Sequence, residues 1–406
     1  MKISTDLKSA MVQLGIAKLR DHQIKPLNHN LRHRDTMVIA PTSAGKSLLY
    51  QLPALIWSDT LTLVIEPTLA LMHDQVQKLQ KLDIPAAYLD SMMSESDKKR
   101  VLHNLATQKI HILYITPERL QTKKFQEAIA HYPVGLIAVD ECHCVLDWGY
   151  SFRSAYLQIG DYIDSLPNRP TIVALTATAD EASRNEIAKR LSMKKFKCYV
   201  SSLERKNLIF MKKGFSSQAE KQSPLFRCLK KYEPRSAIVY CNTQKAVEAV
   251  AKLLKEQYPH EVAMTHAGMG SAKRYEQEKK FLTGKRWIMV ATSAYGMGVD
   301  LSTVDLVIHF NMPLSLVDYY QQAGRAGRNG SRAHCMLFYC QQDYKNNWGI
   351  LKNSEAPDLL YQRLDQMWEF CQEQHHCLVC GMLEALGEYK AKRCNHCTAC
   401  QKERRA

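Results

Sequence analysis

Thr36-Met37-Val38-Ile39-Ala40, then Pro41-Thr42-Ser43-Ala44-Gly45-Lys46-Ser47, then Leu48-Leu49-Tyr50: the reading of this chain turns on these fifteen residues. A β-branched apolar run, a tight loop of small residues and a helix-like start in that order make a strand, a turn and a helix N-terminus. Such a turn points backbone N–H groups at phosphate oxygens, and the helix dipole favours the anion. Within it Lys46 is placed to reach the β- and γ-phosphates of a nucleotide, and the Ser47 hydroxyl to bind Mg²⁺. Thr42 and Gly45 supply the cradle between them. Ala40 stands where the general pattern has its first glycine, and Ser43-Ala44 hold positions often filled by glycine.

About ninety residues on, the apolar run Leu136-Ile137-Ala138-Val139 ends in Asp140-Glu141-Cys142-His143. Acids at the carboxyl end of a strand lie on the edge where open α/β sheets bind ligands. A lone Asp-Glu pair is usually a solvated turn. Coupled to the loop at Lys46, Asp140 becomes a candidate Mg²⁺ holder and Glu141 a candidate for orienting the attacking water. Further strand candidates surround these two. Leu61–Glu66, Ile110–Thr116 and Thr171–Thr176 fall in the first 200 residues. Ala237–Cys241, Glu261–Thr265, Trp287–Ala291, Leu306–Phe310 and Cys335–Tyr339 fall in the next 140. Each gives way to a turn or helix signal, the rhythm of parallel sheets covered by helices. Between them the pattern weakens from about Ser201 to Pro224, which reads as a linker. The expected fold is therefore α/β: two tandem parallel-sheet domains with a cleft between, then a small helical, cysteine-rich end.

The second half carries Gln321-Gln322-Ala323-Gly324-Arg325-Ala326-Gly327-Arg328. If helical, Arg325 and Arg328 share a face, and such arginines stabilise charge on a transferring phosphoryl group, worth roughly 10³–10⁵ in rate. An ordinary Arg-rich helix is the bland alternative.

The 406-residue chain has 55 Lys and Arg against 40 Asp and Glu, a formal +15, with 46% apolar residues. The surplus favours a polyanionic partner, without separating nucleic acid from an acidic membrane surface. No apolar run approaches the ~18–20 residues of a membrane span. The N-terminus has an early acid, Asp6, and no apolar core, so it does not read as a secretory signal. Of thirteen cysteines, six crowd into Cys371–Cys400, a pattern of metal ligation in a reducing compartment, the cytoplasm. Cys394-x-x-Cys397-x-x-Cys400 with an upstream cysteine suits tetrahedral Zn²⁺. Cys380 and His396 are rival ligands on spacing alone.

Read together and in order, these segments resemble the motifs of superfamily 2 helicases, and specifically the RecQ family, over nearly the whole chain. Leu19-Arg20-Asp21-His22-Gln23 resembles the family's adenine-reading segment, which implies that Gln23 pairs with the base edge and Arg20 supports the base. Val64–Met72 and Tyr114–Leu120 resemble its grips on the DNA backbone, and Leu175-Thr176-Ala177-Thr178-Ala179 the motif coupling hydrolysis to movement. Ile238–Thr243, Thr265–Gly268 and Ala291–Asp300 follow in the expected order, which implies that Gly298 and Asp300 help form the ATP cleft. His143 falls in the family's acid box. Cys144–Arg153 is similar to the family's aromatic-rich loop, which implies that Trp148, Phe152 and Arg153 stack on unpaired bases, at roughly 1–3 kcal/mol per base. Being joined to the catalytic acids, that loop can pass DNA contact to them. The sequence departs from the usual pattern at Cys142, Leu146, Asp147, Tyr150 and Ser154-Ala155. The resemblance also selects Cys377, with Cys394, Cys397 and Cys400, as the zinc ligands.

What the resemblance implies is a helicase that hydrolyses ATP with Mg²⁺ and moves 3′→5′ on single-stranded DNA. It would unwind tailed or branched duplexes in repair, recombination or replication, working as a monomer, with a single-stranded-DNA-binding protein as a candidate partner. The expected divisions are a first lobe at 1–205, a second at 206–340 and a zinc subdomain at 341–406. The chain ends six residues after Cys400, which leaves no room for a winged helix. The rival readings are an RNA helicase, a DNA-dependent ATPase that does not unwind, and a metalloprotein unrelated to nucleic acid.

Overall fold

The computed structural model describes residues 5–41, 44–67, 69–90, 92–146, 154–177, 179, 181–293, 295–296, 304–352 and 357–403. The chain divides into two compact units, Met1–Ser202 and Leu203–Ala406.

In the first unit the apolar runs become seven strands: β1 (Thr36–Ile39), β2 (Leu61–Ile65), β3 (Ala86–Leu89), β4 (Ile112–Ile115), β5 (Val134–Val139), β6 (Thr171–Thr176) and β7 (Lys197–Val200). They form one parallel sheet in the order β3-β4-β2-β5-β6-β1-β7. All four residues of β1 and all six of β6 are buried. Near-continuous apolar strands are what a sheet covered by helices on both faces requires. Only the edge strand β7 leaves its ends exposed. The order places β6 between β1 and β5, and β5 beside β2. The loops after β2, β5, β6 and β1 therefore line one carboxyl edge in sequence.

The second unit repeats the plan with β8 (Leu208–Gly214), β9 (Ala237–Tyr240), β10 (Val262–Thr265), β11 (Ile288–Ala291), β12 (Leu306–His309) and β13 (Ala333–Tyr339). They are parallel throughout, in the order β10-β11-β9-β12-β13-β8. The stretch expected to be a linker is not one: within Ser201–Pro224 lies β8, paired with β13 from Leu208↔Ala333 to Gly214↔Tyr339. Its basic end, Lys212-Lys213, masks the strand pattern, and charged residues are what an edge strand tolerates.

Helix packing follows the sequence period. In Gln244–Lys255 the side chains of Val247, Val250, Ala251 and Leu254 are buried, and the Thr243 hydroxyl caps the N-terminus by accepting from the Ala246 N–H, a cap worth about 1 kcal/mol. Beneath it the Lys221 and Asp343 side chains form an ion pair with no solvent exposure. Lys221 also donates to the Phe310 carbonyl at 3.0 Å, while Asp343 accepts from Gln218 at 2.6 Å and Asn311 at 2.9 Å. The chain finishes in helices Gln341–Leu351, Pro357–Gln372, Leu378–Ala385 and Thr398–Glu403. Among the described residues no helix is long and apolar enough to cross a membrane.

Candidate active site and metal centre

The phosphate-loop candidate follows β1, as its sequence requires. Gly45 takes φ +78°, a left-handed conformation open to glycine at little cost. Lys46 folds back so that its Nζ donates to the Ala40 carbonyl at 3.0 Å. Ser47 stands at the N-cap of helix Leu48–Ile56, and its hydroxyl makes no capping bond. Thr42 lies outside the described residues.

Gln23 is almost fully buried, at 2% exposure, and holds this loop from behind. Its Nε2 donates to the Gly45 carbonyl at 2.9 Å and the Ala44 carbonyl at 3.3 Å, while its Oε1 accepts the Arg20 N–H at 2.8 Å. His22 Nε2 also meets the Ala44 carbonyl, at 2.9 Å. Thus Gln23, expected at the base, is bonded to the phosphate loop itself, and Arg20 is tied to Gln23 through its backbone N–H.

Asp140 follows β5, its N–H donating to the Ile65 carbonyl of β2 at 3.0 Å and its Oδ1 accepting from the Glu141 N–H at 2.8 Å. Burial, then the Glu141 charge, pushes the Asp140 carboxyl up to about 6, against the pull of Lys46. Glu141 itself sits at φ 46°, ψ 46°. A left-handed glutamate is a strained conformation of the kind that clusters at functional sites. His143 Nδ1 lies 3.3 Å from a Glu141 carboxylate oxygen and 3.0 Å from the Thr176 hydroxyl at the end of β6. The acid box is therefore wired to the segment after β6. Trp148, Phe152 and Arg153, and Thr178 of that segment, lie outside the described residues.

One member of this edge was not singled out from sequence for chemistry. Glu66, directly after β2, is fully buried, and neither carboxylate oxygen has a hydrogen-bond partner. Burial, then the charges of Asp140 and Glu141, pushes its carboxyl well above the usual range. Its position in a backbone-gripping motif hid it, since no spacing rule pairs it with Asp140. The Ser47 hydroxyl after β1 and the Asp140 carboxylate after β5 are the oxygen donors a hard divalent cation takes, so the residues present fit Mg²⁺.

In the second unit the two arginines are not on a helix. Helix Leu316–Ala323 ends before them, and Gly324 to Asn329 form turns. Gly324 is the C-cap of that helix, and Gly327 takes φ 56° in the turns beyond it. Arg325 is 5% exposed, and its Nη1 donates to the Gly296 carbonyl. The charges of Arg325 and Arg328 both act on the Tyr240 phenol, whose hydroxyl donates to the Tyr295 carbonyl at 3.1 Å. Gly298 and Asp300 lie outside the described residues.

The cysteine-rich end gathers four sulfurs. Cys377, Cys394, Cys397 and Cys400 lie within 4.8 Å of one another. Sγ separations are 4.0 Å for Cys394–Cys400 and Cys377–Cys397, and 3.5 Å for Cys397–Cys400. A tetrahedron with Zn–S near 2.3 Å has edges of about 3.8 Å, so the set fits zinc. Hydrogen bonds from the Cys394 and Cys397 thiols hold Cys377 far below the ordinary thiol range. The rivals are engaged elsewhere: Cys380 Sγ donates to the Lys392 carbonyl at 3.6 Å, and His396 Nε2 meets the Leu208 carbonyl at 3.2 Å. Cys371 is buried in helix Pro357–Gln372, outside the cluster.

Comparison with known proteins agrees with this layout. The DEAD/DEAH box helicase family matches residues 20–187, and the helicase conserved C-terminal domain matches residues 220–330. The chain is 36% identical over 394 residues to the ATP-dependent DNA helicase RecQ of Haemophilus influenzae, covering 95% of this chain and 62% of that one. It is 35% identical over 397 residues to the Bacillus subtilis protein of the same name, covering 97% and 66%. The chain thus spans less than two thirds of the length of these relatives. Among solved structures, the Mycobacterium smegmatis helicase Lhr bound to ssDNA and AMP-PNP aligns with TM-score 0.68 at 19% identity, over 88% of this chain and 50% of that one. That likeness shows the fold.

Proposed function

The chain belongs to the RecQ family of helicases, and from that premise we propose that it is an ATP-driven motor that moves 3′→5′ along single-stranded DNA and separates duplexes. The observation that carries the reading is the shared carboxyl edge, where Lys46 and Ser47 after β1 and Asp140 and Glu141 after β5 belong to one sheet. Lys46 exchanges the Ala40 carbonyl for nucleotide phosphate oxygens. Ser47 and Asp140 hold Mg²⁺, which when bound neutralises charge on the β- and γ-phosphates. Glu141 orients the attacking water, and His143 ties its position to Thr176. Arg325 and Arg328, with Gly298 and Asp300, supply the second lobe's share of the ATP site. Arg20 and Gln23 set the phosphate loop against the base. Trp148, Phe152 and Arg153 stack on unpaired bases and signal DNA occupancy to the adjoining acids.

The divisions proposed are lobes at 1–205 and 206–340 and a zinc subdomain at 341–406. Zinc on Cys377, Cys394, Cys397 and Cys400 is structural: four protein ligands leave no open position, and metal binding supplies folding energy to a segment with little core. The partners proposed are tailed and branched DNA and a single-stranded-DNA-binding protein, in repair, recombination or replication.

Strand displacement tests this reading. With ATP and Mg²⁺, the expected result is release of strand from a 3′-tailed duplex and little from a 5′-tailed one. Hydrolysis without displacement on either would replace the helicase with a non-unwinding ATPase.

A further inference from the structure

Glu66 has no role in the chemistry described above, yet it occupies the most restricted position on the catalytic edge. Its backbone N–H donates to the Ile115 carbonyl of β4, and Asp140 donates to Ile65 of β2, both at 3.0 Å. β2 and β5 run in register at Ile65↔Val139. Glu66 and Asp140 are therefore the next pair along, on adjacent strand ends, and paired residues of parallel strands project to the same face. Glu66 has no exposure and two carboxylate oxygens without partners.

The groups around it make this more pointed. The Glu66 charge acts on the buried phenols of Tyr50 and Tyr114, yet neither hydroxyl bonds to its carboxylate. Gln51 Nε2 gives to the Tyr114 hydroxyl at 3.3 Å, and the Tyr114 hydroxyl gives to that of Tyr50 at 3.4 Å. Lys46 is a cation acting on Glu66, and its Nζ is bonded to the Ala40 carbonyl. A buried carboxyl is ordinarily paired, hydrogen-bonded, bound to a metal or neutral; the first two do not hold here, and a cation arriving beside Asp140 would displace the proton of a neutral Glu66.

We propose that Glu66 is a second carboxylate of the divalent-cation site, acting with Asp140 and Ser47 either directly or through a bound water. The inference rests on the nucleotide-site reading and deepens it. Mg²⁺ in nucleotide sites commonly has one or two carboxylates plus phosphates and keeps several waters. A further carboxylate in a dry pocket replaces hydration, which favours tight binding of ions such as Mn²⁺ that bind N and O sites readily.

The test is Mn²⁺ binding in the presence of saturating ADP, read from loss of the free Mn²⁺ electron paramagnetic resonance signal, on the full chain. Wild type, Glu66→Gln, Glu66→Asp and Asp140→Asn are compared. Loss of a supporting ligand typically costs 10–100-fold in metal affinity. Glu66→Gln is therefore expected to weaken Mn²⁺ by at least about 10-fold. Glu66→Asp, which keeps the charge, should fall between it and wild type. If Glu66→Gln binds within twofold of wild type while Asp140→Asn loses the ion, the role of Glu66 is overturned and the site stands. If Asp140→Asn binds normally, the nucleotide-site reading itself fails. Should Glu66→Gln not fold, Glu66→Asp decides: Mn²⁺ affinity weakened more than twofold supports ligation, and binding within twofold of wild type overturns it.

Discussion

Gly45→Ala is the substitution whose cost the structure defines most closely. At φ +78° an alanine occupies a region that costs an L-residue roughly 1–2 kcal/mol. Its Cβ would lie 2.6 Å from Gln23 Nε2, so Gln23 must withdraw. Withdrawal abandons the bonds to Gly45 and Ala44 at 2.9 and 3.3 Å. Leaving buried partners unsatisfied costs about 1–3 kcal/mol. The sum, about 2–5 kcal/mol, falls on the loop that must hold phosphates. At 1.4 kcal/mol per factor of ten, ATP affinity should drop by about 30-fold or more. Titration with a fluorescent ATP analogue, followed by anisotropy, measures it, with thermal melts to exclude unfolding. Gln23→Ala alone should show only the hydrogen-bond part. On that background Gly45→Ala should add only the backbone part, because the contact is gone. A Gly45→Ala protein binding within threefold of wild type would contradict both the backbone and the Gln23 costs. A strictly additive cycle would mean that the Gln23 contact contributes nothing.

Three further outcomes are expected. Lys221→Met strands the Asp343 carboxylate in a pocket where neither side chain is exposed, at a cost of about 3–5 kcal/mol; melting should fall by about 6–20 °C, and a fall under 2 °C would contradict the burial argument. Elemental analysis should find one zinc per chain, kept by Cys380→Ala and His396→Ala and lost by Cys397→Ser; zinc lost by either of the first two would reassign the ligands. Burial lowers the Lys212 amine from its ordinary 10.5 to about 8. A lysine held below its unfolded value destabilises the fold while charged, fully below pH 8, and the penalty lifts as pH rises from 8 toward 10.5. Wild type should therefore gain melting temperature relative to Lys212→Met between pH 7.5 and 9.5, and parallel curves would sink that assignment.

Strands with three or more apolar residues in a row were legible because a sheet buried on both faces leaves its period nowhere to hide: β1, β2, β6, β9 and β12 fall within a residue of the runs that announce them. The strands that were not legible lie at or near edges. β3 is Ala-Ala-Tyr-Leu, too short and small to stand out; β7 alternates weakly; β8 ends in two lysines. In the site, Lys46 and the acids after β5 could be read because loop chemistry is local in sequence. The Gln23 amide bonded to the loop, the turn that carries Arg325, and the isolation of Glu66 could not. Each depends on which neighbours the fold supplies, and a side chain's hydrogen-bond partner twenty or seventy residues away leaves no periodic trace. Choosing Cys377 over Cys380 was possible from resemblance only; the structure supplies the reason, since Cys380 is turned to the Lys392 carbonyl.

On the proposed function, nucleic acid, and DNA in particular, drives the chemistry built around Lys46. Steady-state ATP hydrolysis is the measurement that decides this, made without nucleic acid, with single-stranded DNA and with single-stranded RNA, for wild type and Lys46→Ala. The expected result is strong stimulation by DNA, weak stimulation by RNA, and loss of turnover in the variant. Equal stimulation by RNA would make the protein a motor for the other nucleic acid, and indifference to both would contradict the coupling assigned to Trp148, Phe152 and Arg153.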